Sequence, residues 1–215
     1  MSSIDPARLS AYIASRICHD LVSPISSVTN ALDLMDEPGD QEMKAQAEVL
    51  LHDGAEKAAA RIQFLRYAFG SIGLNAGAAD IHEARKITEA FVNSHKPSVE
   101  WDLQADHLSF SHVRLMMNLV MMAVECLPRG GVVSVRIRSE AGGLTITLTA
   151  KGDRARLKEE VTAAIEETDP AEGWRAENIQ PLFAKMICDG LEGEFTAKAS
   201  DGQVILMAAG LRAEG

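Results

Sequence analysis

The chain has 215 residues, 47% of them hydrophobic, and a formal net charge of −10. That length buries one sizeable core plus a smaller unit, and the acidic balance opposes binding to a phosphate backbone in the absence of a basic patch, so nucleic acid is not expected as a partner. Cys18, Cys126 and Cys188 are odd in number and far apart, which excludes a disulfide framework and a CxxC zinc site and fits a reducing, cytoplasmic setting.

Residues 6–35 carry Leu9, Ile13, Ile17, Leu21, Ile25, Val28, Leu32 and Met35 at spacings of three or four, a helical stripe. "DEPGD", Asp36 to Asp40, stops that helix with Pro and Gly and offers Asp40 as the N-cap of a second. The second helix, about 40–69, keeps its stripe through Met43, Ala47, Leu50, Gly54, Ala58, Ile62, Leu65 and Phe69, with small residues in the middle that permit close helix approach. A two-helix hairpin with apolar surface on more than one side cannot bury it alone. Pairing with a second copy into a four-helix bundle is therefore expected, making the protein a homodimer.

"GSIGLNAGAAD", Gly70 to Asp80, reads as a linker. It divides a helical hairpin at 1–74 from a second unit at 75–215. The second unit opens with a helix near 81–94, a short strand in "SVEWDL" and a helix through "HVRLMMNLVMMAVECL". Two strands follow, "GVVSVRIRS" and "LTITLTA", joined around Gly142 and Gly143, then a charged helix near 153–167 and an irregular "TDPAEGWRAEN". A helix near 178–190 and a hairpin turning at Asp201 and Gly202 close the chain. The mixture predicts an α+β protein whose second unit is an α/β sandwich, with helices on one face of a mixed sheet. No run of about 18 apolar residues occurs, and the charged N-terminal segment has no signal-peptide core, so no membrane association is expected.

Within the first helix lies "ICHDLVSP", Ile17 to Pro24. At about 100° per residue, His19 falls about 200° from Ile17 and about 160° from Leu21, away from the apolar stripe. Ser15, Arg16, Ser23, Ser26, Ser27 and Asn30 fall on the same side. A face of short polar side chains with one projecting imidazole suits docking by another protein; it also suits a solvated histidine on an ordinary helix. Cys18 diverges from His19 by about 100°, so a Cys/His nucleophile is not expected, and Val22 and Ser23 occupy the places where a second metal ligand would stand. Phosphorylation of the imidazole needs only an exposed nitrogen, an acid on the other nitrogen, which Asp20 supplies, and room for in-line approach. Pro24 withholds the N–H that would have bonded the carbonyl of Asp20, so a bend is expected just after His19.

His19, Asp20, Leu21, Ser23 and Pro24, in the order H-D-L-x-S-P, resemble the H-box in the dimerisation and phosphotransfer domain of sensor histidine kinases. The order of elements beyond the linker resembles the ATP-binding domain of the same kinases. Their N-L-L-x-N-A-x-K pattern is matched by the run from Asn118 to Glu125, with Met122 in place of the metal-binding Asn and Glu125 in place of the phosphate-facing cation. A thioether is a poor ligand for magnesium, and a carboxylate repels triphosphate. The D-x-G-x-G that reads adenine aligns with Ala150, Lys151, Gly152, Asp153 and Arg154, its Asp gone. Near Trp174 to Pro181 only Gly173 remains of a second glycine motif. The methionines at 116, 117, 121 and 122 then read as core packing.

A kinase fold with its H-box intact and its nucleotide site erased is similar to the histidine phosphotransferases of the ChpT type. The resemblance implies that His19 is the phosphoacceptor, that Asp20 orients the imidazole or acts as base, and that Ser23 contacts the phosphoryl group or the partner. It implies a docking face of Arg16, Ser23, Ser26, Ser27 and Asn30. It implies as partners the receiver domain of a hybrid kinase, CckA-like, and response regulators, CtrA-like and CpdR-like, of a cell-cycle phosphorelay. No ATP and no cofactor of the chain's own are implied, magnesium coming with the receiver. A non-catalytic dimeric adaptor and a divergent active kinase are the rival readings of the same architecture.

Overall fold

The computed structural model of the protein describes residues 4–105, 108–140 and 143–212. Two long antiparallel helices, α1 (Pro6–Asp36) and α2 (Gln41–Ala68), form the hairpin. Each begins on an aspartate: Asp5 accepts from the amide of Arg8 at 3.0 Å, with Pro6 in the first turn, and Asp40 accepts from the amide of Met43 at 2.8 Å. Helix α1 runs unbroken through Pro24. Gly54 of α2 faces that proline: a Cβ there would lie 3.1 Å from Val28 Cγ2 and 3.3 Å from the carbonyl oxygen of Pro24. The missing side chain is what lets the two helices approach at this level.

The linker contains a 3₁₀ turn, Ser71–Leu74, and a bridge between Ala78 and Ser109. Beyond it come α3 (Ile81–Asn93), β1 (Ser98–Gln104), α4 (Phe110–Glu125), β2 (Val132–Glu140), β3 (Gly143–Lys151), α5 (Glu159–Ile165), α6 (Gln180–Gly190), β4 (Glu194–Ser200) and β5 (Gln203–Leu211). The five strands form one mixed sheet ordered β1-β2-β3-β5-β4, with β1 parallel to β2 and every other pair antiparallel. Its inner face is apolar at every second position, through Val133, Val135 and Ile137 on β2 and Ile146, Leu148 and Ala150 on β3, all 0% exposed. Helix α4 lies over that face, buried along nearly all its length, and Met116, Met117, Met121 and Met122 are core residues as expected.

One expectation changes and another falls partly outside the described residues. The charged helix near 153–167 shrinks to Glu159–Ile165; Arg154 (φ 58°) and Glu167 (φ 55°), both inside the expected range, take a left-handed backbone that a right-handed helix does not contain. The turn between β2 and β3 was placed around Gly142 and Gly143; Gly143 opens β3, and Gly142 lies outside the described residues.

The hairpin and the second unit share a core. Phe64, Leu65, Ala68 and Phe69 at the end of α2 join the sheet's hydrophobic cluster, and the ring of Phe64 stacks on Phe91 with centroids 3.9 Å apart. A second cluster of Ala163, Ala164, Trp174, Ile179 and Leu182 packs against Leu9, Tyr12 and Ile13 of α1. Several residues of the predicted stripes are left outward: Ile25 and Leu32 on α1 and Leu50 and Ile62 on α2 are exposed, as are Val22 and Val49 beside them. No helix among the described residues is long and apolar enough to cross a membrane.

Candidate functional site

His19 sits in the middle of α1 with its side chain 72% exposed, and its Nδ1 is 3.3 Å from Oδ1 of Asp20. Asp20 is held in turn by Arg16, one turn earlier, whose Nε donates to both carboxylate oxygens at 3.2 and 3.0 Å. A carboxylate facing Nδ1 favours the tautomer that carries its proton there, which leaves the Nε2 lone pair outward. The imidazole stands at the rim of a cleft of about 300 Å³ whose wall includes Arg61, Phe91, His95, Glu125 and Lys158.

Of the face predicted around His19, Ser15, Ser23, Ser26 and Asn30 are exposed as expected. Arg16 is not: it is only 8% exposed and faces inward, which corrects its placement on the docking face. Its Nη2 donates to Glu125 of α4 and its Nη1 to the carbonyl of Glu177 at 3.1 Å. Ser27 is half-buried, its Cβ facing Gly54. Both residues lie roughly 60–80° round the helix from His19 in the same direction, and that flank is the one covered by α2 and the second unit.

Glu125, at the C-terminal end of α4, makes a structural contact. It accepts from Arg16 and, through Oε2, from Lys158 Nζ at 2.6 Å. Burial pushes its carboxyl up, and the two cations more than offset this, holding it below the usual carboxylate range. Trp174 is buried in the cluster against α1. Asn118 ties the units at another point, its Nδ2 donating to the carbonyl of Ala68 at the end of α2 at 2.9 Å.

The carbonyl of Asp20, left without its helical donor by Pro24, accepts from Nη1 of Arg61 on α2 at 2.7 Å. The sequence reading missed Arg61. The signal was available in the requirement that every buried carbonyl find a donor, although the sequence does not say which residue supplies it. His95 also went unnoticed: Nδ1 lies 2.9 Å from the carbonyl of Phe91. Burial lowers its pKa most, the nearby Arg61 lowers it further, and the Phe91 carbonyl, Asp20 and Glu125 oppose the shift only in part.

A helical hairpin with an exposed histidine packs here on an α/β sandwich, and the family model for the histidine phosphotransferase C-terminal domain matches residues 81–203 of that architecture. The chain belongs to that family and is a histidine phosphotransferase. Over 203 residues, 94% of either chain, it is 29% identical to the protein phosphotransferase ChpT of Brucella abortus (strain 2308). It is similar over 96% of its length to 98% of a bacterial phosphotransferase of known structure, with 27% identity and a TM-score of 0.86.

Proposed function

We propose that the protein passes a phosphoryl group between receiver domains through His19, without using ATP. The observation that supports this most directly is the exposed imidazole whose Nδ1 faces Asp20. In the transfer, the Nε2 lone pair attacks the phosphorus of an aspartyl phosphate on the receiver, the P–O bond to that aspartate breaks, and the aspartate leaves as a carboxylate. The positive charge gained by the ring is offset by Asp20, which accepts the Nδ1 hydrogen bond. The reverse displacement by a second receiver's aspartate restores the neutral ring, so the protein works mainly by positioning. Ser23, exposed one turn on, contacts the phosphoryl group or the receiver, and Ser26 and Asn30 extend the docking face.

The receivers are those of a CckA-like hybrid kinase and of CtrA-like and CpdR-like response regulators, in a cytoplasmic cell-cycle relay, as the likeness to ChpT suggests. Magnesium comes with the receiver, and the chain contributes no cofactor. Two copies pair through the exposed apolar residues of the hairpin, Val22, Ile25, Leu32, Val49, Leu50 and Ile62, as a four-helix bundle. The test offers the protein a radiolabelled phospho-receiver and, separately, labelled ATP. Label from the receiver alone, absent in His19→Ala, is expected. Label from ATP would make the protein a kinase, and no label from either would make it an adaptor.

A further inference from the structure

We propose that Glu125, on the second unit, is a positioning residue for phosphotransfer at His19: through Arg16 it holds Asp20 against the ring and thereby presents Nε2 to the receiver. The proposal rests on His19 being the phosphoacceptor. Three segments meet at the Arg16 guanidinium, and a fourth backs one of them. Asp20 of α1 takes its Nε, Glu125 of α4 takes Nη2, the Glu177 carbonyl before α6 takes Nη1, and Lys158 before α5 holds the far oxygen of Glu125. A planar fork bound on three sides has one orientation, so the carboxylate of Asp20 is aimed through Arg16 from Glu125, which lies 109 positions from Arg16 in the chain. The same carboxylate faces Nδ1 of His19, and the partner of one ring nitrogen decides which nitrogen carries the proton. Where a kinase uses this helix position to meet nucleotide phosphate, this chain uses it to fix the histidine's neighbour.

Glu125 is not needed to hold the two units together. The Phe64 and Phe69 end of α2 lies in the shared core, and the Trp174 cluster packs on α1. Glu125→Gln therefore keeps the docking but removes the charge that anchors Arg16, which is then free to swing with Asp20. The expected result is a fall of roughly ten- to a hundredfold in the kcat for label transfer from a phospho-receiver, the cost of a misplacement of about 1 Å, with KM for the receiver unchanged. Glu125→Asp, which keeps the charge, should recover part of the rate. Arg16→Lys, which keeps the charge of Arg16 but not its fork, should show the same loss as Glu125→Gln and serves if that variant is unstable.

Long-range ¹⁵N–¹H NMR of the His19 ring gives a readout that stability alone would not move. The Nδ1–H tautomer should dominate in the wild type and lose population in Glu125→Gln. Wild-type kcat and tautomer in both variants would overturn the proposal. Should the wild type take no phosphate at all, the phosphotransfer reading fails by itself, and the proposal, which depends on it, falls with it; a tautomer shift in Glu125→Gln would then show only that Glu125 is coupled to the ring.

Discussion

Arg61 and Pro24 provide a sharp test of how helix α1 is held. Arg61→Met keeps most of the apolar stem but removes the side-chain donor to the Asp20 carbonyl. Orphaning a buried acceptor costs about 1–3 kcal/mol. The Nε of Arg61 is itself buried without a hydrogen-bond partner among the described residues, so the variant also removes an unmet donor, and the net loss should fall near the lower end, about 1–2 kcal/mol. In a Pro24→Ala background the amide of residue 24 becomes available to the same carbonyl in the ordinary helical pattern. There Arg61→Met should cost well under about 1 kcal/mol, giving a coupling of about 1 kcal/mol between Arg61 and Pro24 through the Asp20 carbonyl that both bear on. Urea denaturation of the four proteins at one protein concentration measures it, a fixed concentration keeping any pairing of copies from shifting the midpoint. With a slope of about 2–3 kcal/mol per molar, the wild-type midpoint should drop by roughly half a molar on Arg61→Met. Equal drops in both backgrounds would show that Arg61 acts by packing or general charge, and the account of Pro24 would be wrong.

Phe64→Ala removes a fully buried ring stacked at 3.9 Å on Phe91; a loss of about 3–5 kcal/mol is expected, read as a fall of roughly 10 °C in calorimetry. Ile62→Glu places a charge on the exposed apolar face of the hairpin and should leave monomers by light scattering if that face joins two copies; an unchanged mass would move the dimer contact elsewhere. The pKa of His95 is lowered in the folded state by burial and by Arg61, against Phe91, Asp20 and Glu125, so below about pH 6.5 the unfolded chain takes up a proton that the folded protein refuses. Stability should therefore fall as pH drops through 6.5 toward the folded pKa, and His95→Gln should flatten that part of the melting-temperature profile; an unaltered slope would place the titration on another group. Glu125 has the opposite kind of group and a lower window. Its depressed pKa contributes stability above about pH 4.3, which is lost as pH falls through the folded value, and Glu125→Gln should remove that acid-limb loss in the same melts.

Local chemistry was enough for much of this molecule. Periodicity placed both long helices, Pro and Gly marked their turn, and alternation marked the strands, because each depends on residues a few positions apart. The outward direction of His19 followed from helix geometry, and Asp20, adjacent in sequence, needed no fold to stand beside it. What the sequence could not say was which flank of α1 would be covered. A helical wheel treats Arg16 and Asn30 alike as neighbours of His19, yet Arg16 is buried against α4 and Asn30 is exposed. The difference is made by Glu125, Lys158 and the Glu177 carbonyl, which converge on Arg16 only when the sandwich packs on the hairpin. Arg61 meets Asp20 for the same reason, through the close approach at Gly54. Contacts within a turn are fixed by the backbone, whereas contacts across the chain exist only once two apolar surfaces have chosen their mutual orientation.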